Sequence, residues 1–191
     1  SNTNTANLLI ISHKNWMTEA QNWANYRAGQ GVSVKLVEVS EIFDEFNYGD
    51  INSLAIRDLL QYAENNWQSA PNYVLLIGDA SFDPRNYLGE GSHNYVPTHM
   101  VNTQFIETGS DDFLADFNGD GLAEMAVGRI PARSAQAVTN VLAKVTAFEA
   151  ATPMPTPTRP SSRMPTKPCG SRGPTSTARR FSRPRAPPAP R

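Results

Sequence analysis

The chain has 191 residues and a formal net charge of −1, which conceals two parts of opposite charge. Residues 1–150 carry all 18 acidic residues and 8 of the 17 basic ones, a difference of −10, whereas residues 151–191 carry the other 9 basic residues and no acid. No apolar run is long enough to span a membrane, and a single cysteine excludes an intramolecular disulfide. The chain starts at Ser1 without a methionine or a signal peptide, so we expect a processed or internal piece of a longer precursor.

The first half of the chain alternates short apolar runs with amphipathic segments. Apolar runs rich in branched residues predict strands, and apolar side chains three or four positions apart predict helices. Glycines at 29 and 31 end the first helix, and Asp50 or Asn52 can cap the second. The pattern predicts a strand over 8–11, a helix over 16–27, a strand over 32–39, a helix ending near 67, and a strand over 73–77.

Three further elements are predicted before residue 150. Tyr95 to Val101 predicts a short edge strand broken by Pro97, 125–130 predicts another strand, and Ser134 caps a last helix. Strands that are apolar on both faces and separated by helices indicate parallel pairing. The predicted fold class is therefore α/β, with a parallel sheet flanked by helices on both faces and right-handed crossovers over residues 1–150.

Composition changes abruptly at Ala151. Residues 151–191 hold 11 of the 15 prolines and few large apolar side chains. Such a segment cannot bury enough apolar surface to fold, so we predict a disordered tail. A basic tail suits nucleic acid, but the sudden change after a well-formed helix is more typical of out-of-frame translation, and we expect no nucleic-acid partner.

The stretch before the fourth main strand is an acidic turn. Asp116, Asn118 and Asp120 alternate with other residues, two glycines follow, and Glu124 returns a carboxylate. Ca²⁺ takes six to eight oxygen ligands, which a loop of this type can supply. We therefore expect a structural Ca²⁺ held by these four residues, the carbonyl of Leu122 and water, with Asp111 or Asp112 as further carboxylates. The alternative is an Asn/Gly/Asp turn without an ion.

A second polar loop follows the third predicted strand. In parallel sheets, functional loops follow the carboxyl ends of strands. Asp79, Asp83 and Arg85 lie in this loop and can tie it together locally or support a cleft. A phospho-accepting Asp79 is disfavoured because Ser12-His13-Lys14, not carboxylates, follows the first strand. A nucleotide-binding fold is disfavoured because that same turn has no glycines.

Six motifs occur in this order along the chain: DEFNYG at 44–49, AIRD at 55–58, YVLLIGDASFDPRN at 73–86, VPT at 96–98, SDDF at 110–113 and GRIP at 128–131. Together they resemble the gingipain-type cysteine peptidases over residues of about 6–150. The resemblance implies a caspase-like fold of two adjacent subdomains, of which this chain is the first. It also implies an extracellular or cell-surface protein that acts on proteins or peptides.

The family's Cys–His dyad cannot be assigned to residues of this chain. In the family, the histidine lies in a Gly-His-Gly turn and the cysteine follows a later strand, and neither segment occurs here. His13, His93 and His99 are typical of structural positions, and nothing places a histidine beside Cys169, as activation of a thiol requires. We therefore expect no catalytic residue in this chain.

Two functions of different classes remain open. The first is a fragment of a secreted gingipain-like cysteine endopeptidase, inactive alone, whose partner is the missing second half of the catalytic domain. The second is a non-catalytic, calcium-stabilised α/β module used for binding or assembly.

Overall fold

The structure, a computed structural model, describes residues 3–89, 91 and 93–151. The prediction of a disordered tail concerns residues that lie outside this range. The helices and strands are β1 (Leu8–Ser12), α1 (Met17–Gly29), β2 (Val34–Glu38), α2 (Val39–Asn47), α3 (Ser53–Asn66), β3 (Tyr73–Ile77), β4 (His99–Asn102), β5 (Glu107–Ser110), β6 (Ala126–Ile130) and α4 (Ala135–Ala151). A short 3-10 turn, Lys14–Trp16, precedes α1, and another, Asp112–Leu114, follows β5.

Four strands form a parallel sheet in the order β2-β1-β3-β6. In the central strand β1 every residue is buried, as expected for a strand covered on both faces. The α/β class, the parallel pairing and the helices on both faces are confirmed. The predicted strand over 32–39 is shorter, because Val39 already begins α2.

Helices cover the two faces of the sheet with separate apolar cores. On one face Leu9, Ile11 and Leu76 pack with α2, α3 and the Asp112–Leu114 turn. On the other face Leu8, Ile10 and Ile77 pack with α1 and the first half of α4. Because the strands are parallel, the loops that follow β1, β3 and β6 lie at the same end of the sheet, which we call its carboxyl edge.

One predicted element is wrong in its place, and two elements, β5 and α2, were not predicted. The strand expected over 95–101 is not an edge of the main sheet; β4 pairs antiparallel with β5 in a separate two-stranded sheet. The amides of Tyr95 and Val96 instead donate to the carbonyl of Asp79, which holds this segment against the loop after β3. Helix α2 was missed, although Val39, Ile42, Phe43 and Phe46 have helical spacing.

The N-terminus of α3 gives a test of local stability. The side-chain oxygen of Asn52 accepts from the amide of Leu54 at 3.0 Å, as predicted for the cap. Asn52→Ala removes this bond, and we expect a loss of about 1 kcal/mol in the free energy of unfolding. Urea denaturation measures it, with Gln61→Ala on an exposed turn of α3 as the control. Equal stability of the two variants would contradict a capping role.

Candidate functional site

The carboxyl edge of the parallel sheet is organised around one arginine. Arg129 lies in β6, and its side chain is only 13 % exposed. Its Nε and Nη2 donate to the two carboxylate oxygens of Asp111, both at 2.7 Å. Its Nη1 donates to the carbonyls of Gly78 at 2.8 Å and Val96 at 2.6 Å. One guanidinium therefore joins the end of β3, the 95–98 segment and the end of β5.

Asp111 is held ionised within this network. Burial by itself raises the pKa of its carboxyl, but the hydrogen bonds and charge of Arg129 outweigh that effect and lower the pKa below its usual range. The hydroxyl of Thr98 also donates to Asp111, at 2.8 Å. The site thus contains a paired, fixed carboxylate, which suits a supporting role and leaves no proton to exchange near neutral pH.

Two glycines let these segments come together. A Cβ on Gly78, whose φ is +152°, would lie 2.8 Å from Cγ2 of Val96. A Cβ on Gly109 would lie 2.8 Å from Cγ2 of Thr98. Real Cβ atoms do not come this close to another carbon, so both positions need glycine. The GRIP, VPT and SDDF motifs and the first glycine of the loop after β3 are therefore parts of one three-dimensional cluster.

The loop after β3 is fixed by local contacts of the residues singled out from the sequence. Asp79 accepts from the amide of Ala80 at 3.0 Å and from Nε of Arg133 at 2.5 Å. Asp83 accepts from the amide of Leu88, and Arg85 donates to the hydroxyl of Tyr87. These side chains do not join the Arg129 network. The Asp79–Arg133 ion pair connects the loop to the residues just before α4.

The histidines lie among aromatic rings. His13 packs against Trp16 and Tyr95, with ring centroids 5.3 and 5.1 Å apart. Burial, with the nearby charge of Lys14, lowers the pKa of His13, so its ring stays neutral near neutral pH. His93 stacks on Tyr95, and His99 stacks on Phe113 with centroids 3.8 Å apart. His13 and His93 thus share a contact with Tyr95, whereas His99 lies apart on Phe113. Cys169 lies outside the described residues.

The acidic turn is folded by its own side chains. Asp116 accepts from the amides of Gly119 and Gly121, Asn118 from that of Asp120, and Asp120 from that of Leu122. Glu124 accepts from the amide of Phe117 at 2.7 Å and from Nδ2 of Asn118 at 2.6 Å. Across the described part of the chain, no three His, Cys, Asp or Glu side chains are placed to share a metal ion. Calcium binding at this turn stays a prediction.

Two structural arginines were not assigned a role from the sequence. Arg129 was quoted only as part of a motif, although a charged residue in an apolar strand needs buried partners. Arg57 was likewise quoted without a role. Its Nη2 donates to the carbonyl of Asp116 at 2.7 Å, and its guanidinium lies 4.6 Å from the ring of Phe113. Arg57 therefore fixes the start of the acidic turn against α3.

A comparison with models of protein families identifies the family to which this chain belongs. The model of peptidase family C25 matches residues 1–163 of this chain. The chain belongs to peptidase family C25. The resemblance to gingipain-type peptidases is therefore confirmed, and the Arg129 cluster is part of a cysteine peptidase-related domain. A search of curated proteins finds no match.

Two solved structures share the fold. The dimeric latent PorU from Porphyromonas gingivalis matches with a TM-score of 0.63 and 24 % identity, over 76 % of this chain and 16 % of that chain. A second, described as a protease, matches with a TM-score of 0.54 and 18 % identity, over 78 % of this chain and 29 % of that chain. This chain thus spans less than a third of either structure.

Proposed function

We propose that this chain is the first subdomain of a C25-type cysteine endopeptidase and that it carries none of the catalytic dyad. The observation that supports it is the match to the C25 family over residues 1–163. The substrate of the intact enzyme would be a protein or peptide. The nucleophilic cysteine and its histidine would come from a second subdomain, which is the partner that this proposal requires.

The role proposed for the described residues is structural support of the cleft. The Arg129–Asp111 pair and the Asp79–Arg133 pair fix the loops at the carboxyl edge of the sheet. Parallel α/β folds place ligands at this edge, because the loops that follow the strands converge there. Rigid loops would hold an adjacent catalytic pair or a bound peptide in a constant geometry.

The cellular location belongs to the same proposal. Gingipain-type peptidases act outside the cell or at its surface, so we propose that location for the protein of which this domain is part. No helix among the described residues is long and apolar enough to cross a membrane.

The chain alone should hydrolyse no peptide bond. We expect no turnover of fluorogenic peptides that contain arginine or lysine, and Cys169→Ala should change nothing, because an unactivated thiol is a poor nucleophile near neutral pH. Release of the fluorophore measures activity, with an active cysteine peptidase in the same buffer as the positive control. Hydrolysis that the parent chain performs and Cys169→Ala abolishes would refute the proposal.

A further inference from the structure

The acidic turn contains a residue pair with a chemistry of its own. Asn118 is followed by Gly119, and no other asparagine of the sequence precedes a glycine. The side-chain carbonyl carbon of an asparagine can be attacked by the backbone nitrogen of the next residue, and a side chain on that residue hinders the attack. Glycine has none. Among the asparagines of this chain, Asn118 is therefore the most open to spontaneous deamidation.

The structure leaves the Asn118–Gly119 pair open to solvent. Residues 118–124 are all exposed, so water and hydroxide can reach the peptide bond. The φ angle of Gly119 is +76°, and a Cβ built on this residue would meet no described atom within 4 Å beyond its chain neighbours. Packing by the rest of the fold therefore does not protect the pair, and any protection must come from within the turn.

Hydrogen bonds within the turn hold both of the reacting groups. The amide of Gly119, which is the nucleophile, donates to Oδ1 of Asp116 at 2.7 Å. The side chain of Asn118 accepts from the amide of Asp120 at 2.8 Å and donates through Nδ2 to Oε1 of Glu124 at 2.6 Å. Because Nδ2 leaves as ammonia during deamidation, the contact with Glu124 is lost in the reaction. The closed turn is thus a restrained form of the reactive pair.

The carboxylate of Asp116 is the group that restrains the nucleophile. The attacking nitrogen must lose its proton, and both a hydrogen bond to the neutral N–H and a negative charge beside it disfavour that loss. Asp116 also accepts from the amide of Gly121 at 2.9 Å, so one side chain closes the turn through two bonds. Its backbone carbonyl accepts from Arg57 at 2.7 Å, which holds this residue against α3.

We propose that Asn118 is a site of spontaneous deamidation and that the two bonds from Asp116 to the turn set its rate. In the opened turn the nitrogen of Gly119 attacks Cγ of Asn118 and closes a succinimide ring. The bond from Cγ to Nδ2 breaks, and the proton taken from Gly119 leaves with the ammonia. Water then adds to either carbonyl of the ring and gives aspartate or isoaspartate at position 118. The only reactant besides the protein is water.

Conversion changes the contact between position 118 and Glu124. Nδ2 of Asn118 donates to that carboxylate, whereas an ionised aspartate has no proton to donate and places a like charge beside it. Isoaspartate in addition lengthens the backbone within the turn. Glu124 lies just before β6, and its amide donates to the carbonyl of Ala115 at 2.9 Å. Deamidation therefore loosens the turn close to the point where the chain enters β6.

Peptide mapping by mass spectrometry of the full chain, incubated near neutral pH with chelator, tests this inference. We expect Asn118 to convert before any other asparagine, and more slowly in the folded protein than in urea, because the turn must first open. Asp116→Ala should raise the rate in the folded protein about 10-fold, as expected for the loss of hydrogen bonds to a charged group. Asp58→Ala, the same change on an exposed turn of α3, should leave the rate unchanged. Asn118→Gln should show no conversion at this position, because its longer side chain closes a less favourable ring.

The other asparagines separate an opened turn from a damaged fold. If Asp116→Ala unfolded the domain, their rates would rise as well, whereas loss of the restraint should raise the rate of Asn118 alone. A parent protein whose Asn118 stays intact overturns the proposal. A rate that is equal in the folded protein and in urea, or that Asp116→Ala does not raise selectively, overturns the role of Asp116.

Asn118→Asp copies one product and measures the consequence of conversion. It should lower the Tm by about 2–4 °C, whereas Asn140→Asp, on an exposed turn of α4, should leave it unchanged. Equal Tm values for Asn118→Asp and the parent overturn the loosening of the turn. The chelator makes these results independent of the calcium prediction. They also do not depend on a second subdomain or on peptidase activity, so they can fail or succeed separately from the proposed function.

Discussion

Arg129→Met should destabilise the domain by about 3 kcal/mol, the lower end of the range for a broken buried ion pair, because the Asp111 side chain keeps 24 % exposure. The variant removes both bonds to Asp111 and leaves the carbonyls of Gly78 and Val96 without their donor. Arg129→Lys should recover only part of the loss, because an ammonium cannot copy the bidentate geometry. Urea denaturation of the three proteins measures the differences.

Lowering the pH should reduce the stability that the Asp111–Arg129 pair gives to the domain. Because the pKa of Asp111 is lowered in the folded state, its contribution to stability is present above the carboxyl's unfolded pKa and is lost as pH falls through the folded value. The stability difference between the parent protein and Asp111→Asn should therefore shrink from neutral pH into the acid range.

Arg133→Gln is the matched control for Arg129→Met, since it breaks the more exposed ion pair with Asp79. An Arg129→Met protein as stable as that control would rule out a central role for Arg129.

The fold could be predicted from the sequence where the burial of apolar side chains determines the element. β1 and β3 are continuous apolar runs, and only a strand covered on both faces buries such a run. β5 and its pairing with β4 were not predicted, because the residues of both strands are half exposed and the pairing depends on contacts between residues distant in sequence, such as Thr98 with Asp111. The missed helix α2 follows β2 without an intervening turn, so no glycine or proline marked the boundary.

The candidate site could be predicted only as a set of motifs. GRIP and SDDF are 15 or more residues apart, and nothing in either shows that Arg129 binds both oxygens of Asp111. The prediction that Asp79 follows the carboxyl end of a parallel strand needed only the position and direction of β3, and the structure places it there. The pairing of Asp79 with Arg133 could not be predicted, because it depends on the path of the chain after β6. The sequence pattern of the strands thus located the carboxyl edge of the sheet, whereas the ion pairs at that edge depend on tertiary structure.

The acidic turn should bind one Ca²⁺ and become more stable when it does. Asp116, Asn118, Asp120 and Glu124 supply oxygens of the type that calcium prefers, with the carbonyl of Leu122 and water as further ligands. In the structure the carboxylates of Asp116 and Glu124 are engaged with backbone amides, and Arg57 fixes the carbonyl of Asp116. The carboxylate of Asp120 likewise accepts from the amide of Leu122. Binding therefore requires the carboxylates of Asp116, Asp120 and Glu124 to turn toward a common point.

A thermal melt with calcium and with chelator decides between the ion and the bare turn. An ion that binds only the folded form adds about 2.7 kcal/mol at a free concentration 100 times its Kd. For a domain of this size that corresponds to a rise in Tm of about 5–10 °C. Magnesium should act weakly, because it demands a tighter octahedral shell. Asp120→Ala should lose the shift, whereas Asp58→Ala, on α3, should keep it. If calcium leaves the Tm of the parent unchanged, or raises that of Asp120→Ala equally, the stretch is a turn stabilised by its own hydrogen bonds.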